Sequence, residues 1–130
     1  MEICRKVPEI RGAVARYRAK GAGVGLVTTM GALHEGHMAL IRAARQVQDR
    51  VVATIFVNPA QFGEAADLAS YPRREARDIA MLEEASVDAL FIPEAQTVYP
   101  PGDETVVECT RLSRMLHGEV RPGHFRGVTT

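Results

Sequence analysis

The 130-residue chain is predicted to fold as an α/β protein, a parallel sheet flanked by helices, and three observations carry that expectation. Short apolar runs rich in β-branched residues alternate with amphipathic stretches of roughly ten to fifteen residues, the pattern of βαβ units with right-handed crossovers. The run Val51 to Val57 (VVATIFV) is almost continuously apolar, as in a strand covered on both faces. The unusual polar residues fall just after the strands, where open parallel sheets bind their ligands.

Each element has its own local reasons. Val7 to Lys20 reads as a helix: Pro8 suits the first turn, Glu9 the positive end of the helix dipole, and Gly21 a C-terminal stop. Ile10, Val14 and Tyr17 form its apolar stripe. Val24 to Thr29 is the next strand, and a helix follows from about Gly36 to Gln48, with Met38, Ile41, Ala44 and Val47 on one face. Asn58-Pro59 ends the strand after it, and a loop holds Gln61, Phe62 and Gly63. A third helix is expected from Pro72 to Ala85, burying Ala76, Ile79, Leu82 and Ala85. Ala89 to Ile92 is a short strand closed by Pro93. Thr105 to Cys109 reads as extended and Arg111 to Leu116 as a short helix ending at Gly118.

Composition excludes several function classes. A hydrophobic fraction of 46% with 25% charged residues argues against disorder. Sixteen basic residues balance sixteen acidic ones, so the basic excess of a nucleic-acid binder is missing. No apolar run reaches the roughly 20 residues that span a bilayer, and the first residues lack the apolar core of a secretory signal. Cys4 and Cys109 form no C-x-x-C pair, so no disulfide framework or zinc cage is expected, and a reducing cytoplasm is the expected compartment.

Chemistry concentrates in Thr28-Thr29-Met30-Gly31-Ala32-Leu33-His34-Glu35-Gly36-His37, between a strand and a helix. At such a junction unpaired N–H groups and the helix dipole favour a phosphate. His34 and His37, three apart, project from the same side of the helix start. Gly31 and Gly36 clear space for a ligand near the backbone. Two imidazoles there can donate hydrogen bonds to phosphate oxygens as charge builds in a transition state. A zincin-like metal site is disfavoured, because it needs His residues four apart with a Glu beside the first. No metal-binding residues are assigned. Gln61 can donate and accept hydrogen bonds, which suits a small hydroxylated acid; Asn58 is a weaker candidate, since Asn-Pro is also turn chemistry. Tyr71, Pro72 and Arg73 read as structural, and Arg121, His124 and Arg126 as a local basic patch.

The blocks GVGLVTTMGALHEGHMALIRAAR, IFVNPAQFG, DLASYPRREARD, VYPPG and RPGHFRGV, in that order, closely resemble the pantothenate synthetase (pantoate–β-alanine ligase) family, from about Gly25 to Thr130. His34 to His37 match the H-x-G-H signature of nucleotidyltransferases, carried on a Rossmann-like domain. The resemblance implies ATP-dependent ligation of (R)-pantoate and β-alanine through pantoyl adenylate, with Mg²⁺. It assigns ATP contacts to Met30, Gly31, Ala32, Leu33, His34, Glu35, Gly36 and His37, and pantoate and β-alanine contacts to Gln61. His37 corresponds to the family's proton donor, assisted by His34. The family usually has Pro where Thr28 stands. Its members are longer and usually dimeric, so residues 1–130 are expected to be a truncated nucleotide-binding domain without the C-terminal domain. Another H-x-G-H nucleotidyltransferase, or a catalytically incomplete nucleotide-binding fragment, are the alternatives.

Overall fold

The computed structural model describes residues 1–130. In chain order the elements are β1 (Glu2–Cys4), α1 (Val7–Ala19), β2 (Val24–Thr29), α2 (Glu35–Val47), β3 (Arg50–Ile55), α3 (Ala65–Ser70), α4 (Glu75–Glu84), β4 (Ala89–Phe91), α5 (Ala95–Val98), α6 (His117–Val120) and α7 (His124–Thr129). Single 3₁₀ turns occupy Pro59–Gln61 and Leu112–Arg114. The chain divides into two compact units. The first comprises Met1–Phe56 with Pro72–Val98, and the second Val57–Tyr71 with Tyr99–Thr130.

The first unit is the expected α/β layer. Its four strands are ordered β1-β4-β3-β2, and every neighbouring pair is parallel. Side chains alternate across the sheet as a two-residue period demands. Val51, Ala53 and Ile55 of β3 face a core completed by Val27, Leu90, Ile41 of α2 and Leu82 of α4. Val52 and Ala89 point the other way, onto Ala13 and the half-buried Ile10, Val14 and Tyr17 of α1. Ile41, Leu82 and Leu90 are at most 1% exposed, and burying each such side chain contributes roughly 1.5–3 kcal/mol.

Several boundaries differ from the sequence expectation. The strand Glu2–Cys4 has no signal in the sequence pattern; it is three residues long and exists through its pairing with β4. Val47 is 74% exposed; the last turn of α2 meets β2 through Ala44 and Gln48, whose side chains lie against Gly25. The third helix begins at Glu75, with Arg74 in a non-helical conformation ahead of it, and Ala76 is exposed. Beside the expected Leu82, the other fully buried residue of that helix is Asp78.

In the second unit, Thr105 to Cys109 forms no sheet ladder. Its backbone is tied instead by Val107, whose N–H donates to Thr130 Oγ1 at 3.2 Å and whose carbonyl accepts from Thr129 Oγ1 at 2.5 Å. Gly118 lies inside α6 and is buried, so it does not end a helix; a Cβ there would lie 2.0 Å from the Ser113 carbonyl oxygen. Likewise a Cβ on Gly127 of α7 would lie 2.1 Å from the Ala60 carbonyl oxygen, so this close approach requires glycine.

Candidate functional site

The β2–α2 junction builds its geometry from its own side chains. At the end of β2, Thr29 Oγ1 donates to the Thr54 carbonyl at 2.7 Å and accepts from the Gly31 N–H at 3.1 Å, which turns the chain out of the sheet. Gly31 and Ala32 then adopt left-handed conformations, with φ of 79° and 51°. For alanine that costs roughly 1 kcal/mol. A buried carboxylate compensates: Asp78 Oδ2 accepts from the Ala32 N–H at 2.8 Å and Oδ1 from the Leu33 N–H at 2.9 Å. Asp78 is 1% exposed and is missing from the candidates that sequence reasoning supplies. Its one signal is an acidic residue four positions before Leu82, on the buried face of α4.

His34 is the N-cap of α2, with φ −140° and ψ 178°. Its Nδ1 accepts from the Gly36 N–H at 3.1 Å, and His37 Nδ1 accepts from the His34 N–H at 3.3 Å. A backbone N–H can only donate, so each Nδ1 must carry a lone pair. Both neutral rings therefore bear their proton on Nε2. The rings lie 4.1 Å apart between centroids and are tilted by 44°. Burial and the neighbouring His34 push the His37 imidazole below its ordinary value, against an upward pull from Asp78. A Cβ on Gly36 would approach His34 Cε1 to 3.0 Å, so glycine leaves the ring its place.

These bonds revise the picture of a loop with free amides. The N–H groups of Gly31, Ala32, Leu33, His34, Gly36 and His37 are all committed within the protein. What the junction presents outward is a pair of imidazole Nε2–H donors at the positive end of a 13-residue helix. Met30 and Ala32 are half-buried, whereas Leu33 is 3% exposed and belongs to the core. Glu35 is exposed and paired with Arg42. The structure thus gathers Met30 to His37 into one junction of the first unit.

Gln61 belongs to the second unit. It sits at the end of the 3₁₀ turn capped by Asn58, whose Oδ1 accepts from the Ala60 N–H at 3.1 Å and the Tyr99 hydroxyl at 2.9 Å. Asn58 Nδ2 donates to the Gly127 carbonyl at 2.9 Å, so this 8% exposed side chain is a brace. His124 Nδ1 lies 2.9 Å from the Gln61 carbonyl oxygen and must donate to it. Gln61, Phe62, Tyr99, Asp103, His124 and Arg126 border a cavity of about 360 Å³. Of the basic patch, Arg121 pairs with Asp67 at 3.4 Å.

No helix is long and apolar enough to cross a membrane, and no three His, Cys, Asp or Glu side chains converge as a metal site.

Comparison with known proteins agrees with the motif. The family profile described as Pantoate-beta-alanine ligase matches residues 2–130. The chain is 52% identical over 130 residues to the pantothenate synthetase of Bartonella henselae, covering 100% of this chain and 46% of that protein. It is 53% identical over 131 residues to that of Acidiphilium cryptum, covering 100% and 47%. Among solved structures, the pantothenate synthetase of Thermus thermophilus superposes with a TM-score of 0.90 at 47% identity, over 98% of this chain and 45% of the other. The pantoate-beta-alanine ligase of Francisella tularensis, solved with beta-gamma ATP and beta-alanine, gives 0.89 at 38% identity, over 98% and 49%. The chain spans about half the length of the relatives it matches. Matched by the profile from residue 2 to residue 130, and sharing about half its residues with named members, the chain belongs to the pantoate-beta-alanine ligase family.

Proposed function

We propose that the chain is the nucleotide-binding, N-terminal portion of an ATP-dependent pantoate–β-alanine ligase. The observation that carries this is the pair of Nε2–H imidazoles at the start of α2, both Nδ1 atoms being held by backbone N–H groups. Family membership and the ATP-analogue and β-alanine complex of the Francisella tularensis relative support the same reading.

In the first step a carboxylate oxygen of (R)-pantoate attacks the α-phosphorus of ATP. The new P–O bond forms as the bond to the bridging oxygen breaks, giving pantoyl adenylate and pyrophosphate. His37 and His34 act by donating Nε2–H hydrogen bonds to oxygens on which charge accumulates, a role in which positioning and electrostatics dominate. Within Met30 to His37, Met30, Ala32, His34, Glu35, Gly36 and His37 form the ATP contact surface, and the buried Gly31 and Leu33 support it from beneath. The β-alanine amine then attacks the acyl carbon of the mixed anhydride; AMP leaves and the amine proton is lost, giving pantothenate. Gln61 is the pantoate and β-alanine contact, and the cavity of about 360 Å³ on which it borders suits a small hydroxy acid.

Mg²⁺ accompanies the triphosphate in this reading. The chain's own residues do not offer it a ligand set, since Asp78 is committed to two amides and Glu35 to Arg42. A cytoplasmic homodimer completes the proposal. The exposed Val106, Val107, Leu116 and Val120 of the second unit supply apolar surface for self-association.

The decisive measurement is pantoate-dependent exchange of pyrophosphate into ATP by the whole protein. His37→Ala should lower the exchange rate by about 10²–10³-fold while ATP affinity falls far less. Equal losses in both would remove the transition-state role. Exchange with a different acceptor would indicate another nucleotidyltransferase, and ATP binding without any exchange a non-catalytic module.

A further inference from the structure

We propose that Asp78 is a positioning residue of the nucleotide site, fixing the Gly31–Leu33 turn and through it the two histidines, without itself touching a ligand. The inference rests on the ligase reading of the β2–α2 junction and names a device within it.

Three observations carry it. Asp78 is a 1% exposed carboxylate that enters none of the molecule's ion pairs, and both its oxygens accept from the turn, at 2.8 and 2.9 Å. A buried charge without a cation is costly unless hydrogen bonds hold it. The turn supplies those bonds because Gly31 and Ala32 are both left-handed, which aims successive N–H groups at one point. Such a concavity of backbone donors is an anion site. Here the resident anion is the protein's own side chain, supplied from α4, 45 residues beyond Leu33 in sequence.

The fit is close. A Cβ at Gly31 would come within 3.1 Å of both Asp78 Oδ2 and Ile55 Cγ2, so the turn lies directly on carboxylate and sheet. His34 follows Leu33 immediately, and its backbone N–H is the donor to His37 Nδ1. Asp78 therefore governs where both imidazoles stand. Two amides that could have cradled a phosphate are spent on this clamp. ATP must meet the Nε2–H groups at a position set by a residue it never reaches.

The test uses Asp78→Asn in the whole protein, which keeps size and shape but replaces one acceptor with a donor facing an N–H. Pantoate-dependent pyrophosphate exchange should show kcat reduced by about 10²-fold, the scale of an ångström-sized misplacement, with KM for ATP changed by less than about threefold. A merely structural residue would lower the melting temperature and leave kcat of the folded fraction intact; that outcome overturns the proposal, as does wild-type kcat. If the variant does not fold, amide hydrogen exchange by NMR on the unaltered protein decides. Protection of the Ala32 and Leu33 amides comparable to β3 supports the clamp, and exchange as fast as exposed loop amides overturns it. Absence of pyrophosphate exchange in the wild-type protein would instead sink the ligase reading, leaving the amide measurement to judge the clamp by itself.

Discussion

Protonating Nδ1 of His37 would set two donors against each other, because the His34 N–H already points at that nitrogen. Burial, the His34 neighbour and this bond all favour the neutral ring, so the group binds its proton only below its ordinary value of about 6.5. The competent form therefore predominates at neutral pH and is lost as pH falls through that lowered value. The acid limb of the exchange rate should accordingly lie below pH of about 6.5, as a pH–rate profile of kcat would register; a limb above about 7 would contradict a neutral His37. The two histidines are legible in sequence because H-x-G-H follows a strand and opens a helix, a local pattern. Asp78 is not legible in the same way. Its meaning depends on a loop 45 residues earlier, and a lone acid on a helix face usually denotes solvent. Nor can spacing reveal that the loop's amides are already used, since that depends on which side chains fold back onto them.

Among the elements, β3 and β4 are coupled at their N-terminal ends by Asp88. Its carboxylate accepts from the Val51 N–H at 2.8 Å and pairs with Arg50 at 2.7 Å and Arg45 at 3.0 Å. Burial pushes this carboxyl up, but the Val51 N–H and the two guanidinium groups outweigh it and hold it below its usual value. A lowered folded-state value means stabilisation present above the unfolded carboxyl range and lost as pH falls through the folded one. Asp88→Asn should therefore cost about 2 kcal/mol at neutral pH, a fall in Tm of roughly 6 °C. The stability difference should shrink as pH falls through the lowered folded-state value of Asp88, beneath the ordinary carboxylate range, where the wild-type carboxylate is itself protonated. Apart from the short β1 and α5, helices and strands of the first unit are legible because period and burial agree: Val51, Val52, Ala53 and Ile55 of β3 supply apolar side chains to both faces, and both are covered. The second unit is less so. Its short helices α3, α6 and α7 have four to six residues each and no long apolar stripe, and Thr105 to Cys109 has strand-like composition without a partner strand.

For the molecule as a whole, sixteen charges of each sign give a sequence pI near 6.9. Near that pH little long-range repulsion opposes contact between copies, while Leu116 and Val120 are 83% and 75% exposed. Light scattering at low salt should find self-association greatest close to about pH 7 and reduced at about pH 9; particles of unchanged mass across that range would argue against an apolar contact surface. The buried clamp also bears on inheritance. The carboxylate of residue 78 and the turn it holds are separated by 46 positions at Ala32, with β3 and the whole Asn58–Gln61 segment in between. A recombinant joining two relatives at a crossover anywhere in that interval could keep every helix and strand and still mate a turn from one parent with a clamp from the other. Crossovers outside residues 31–78 would pass the pair on intact, so the smallest exchangeable block for this site is far longer than the motif by which it is recognised.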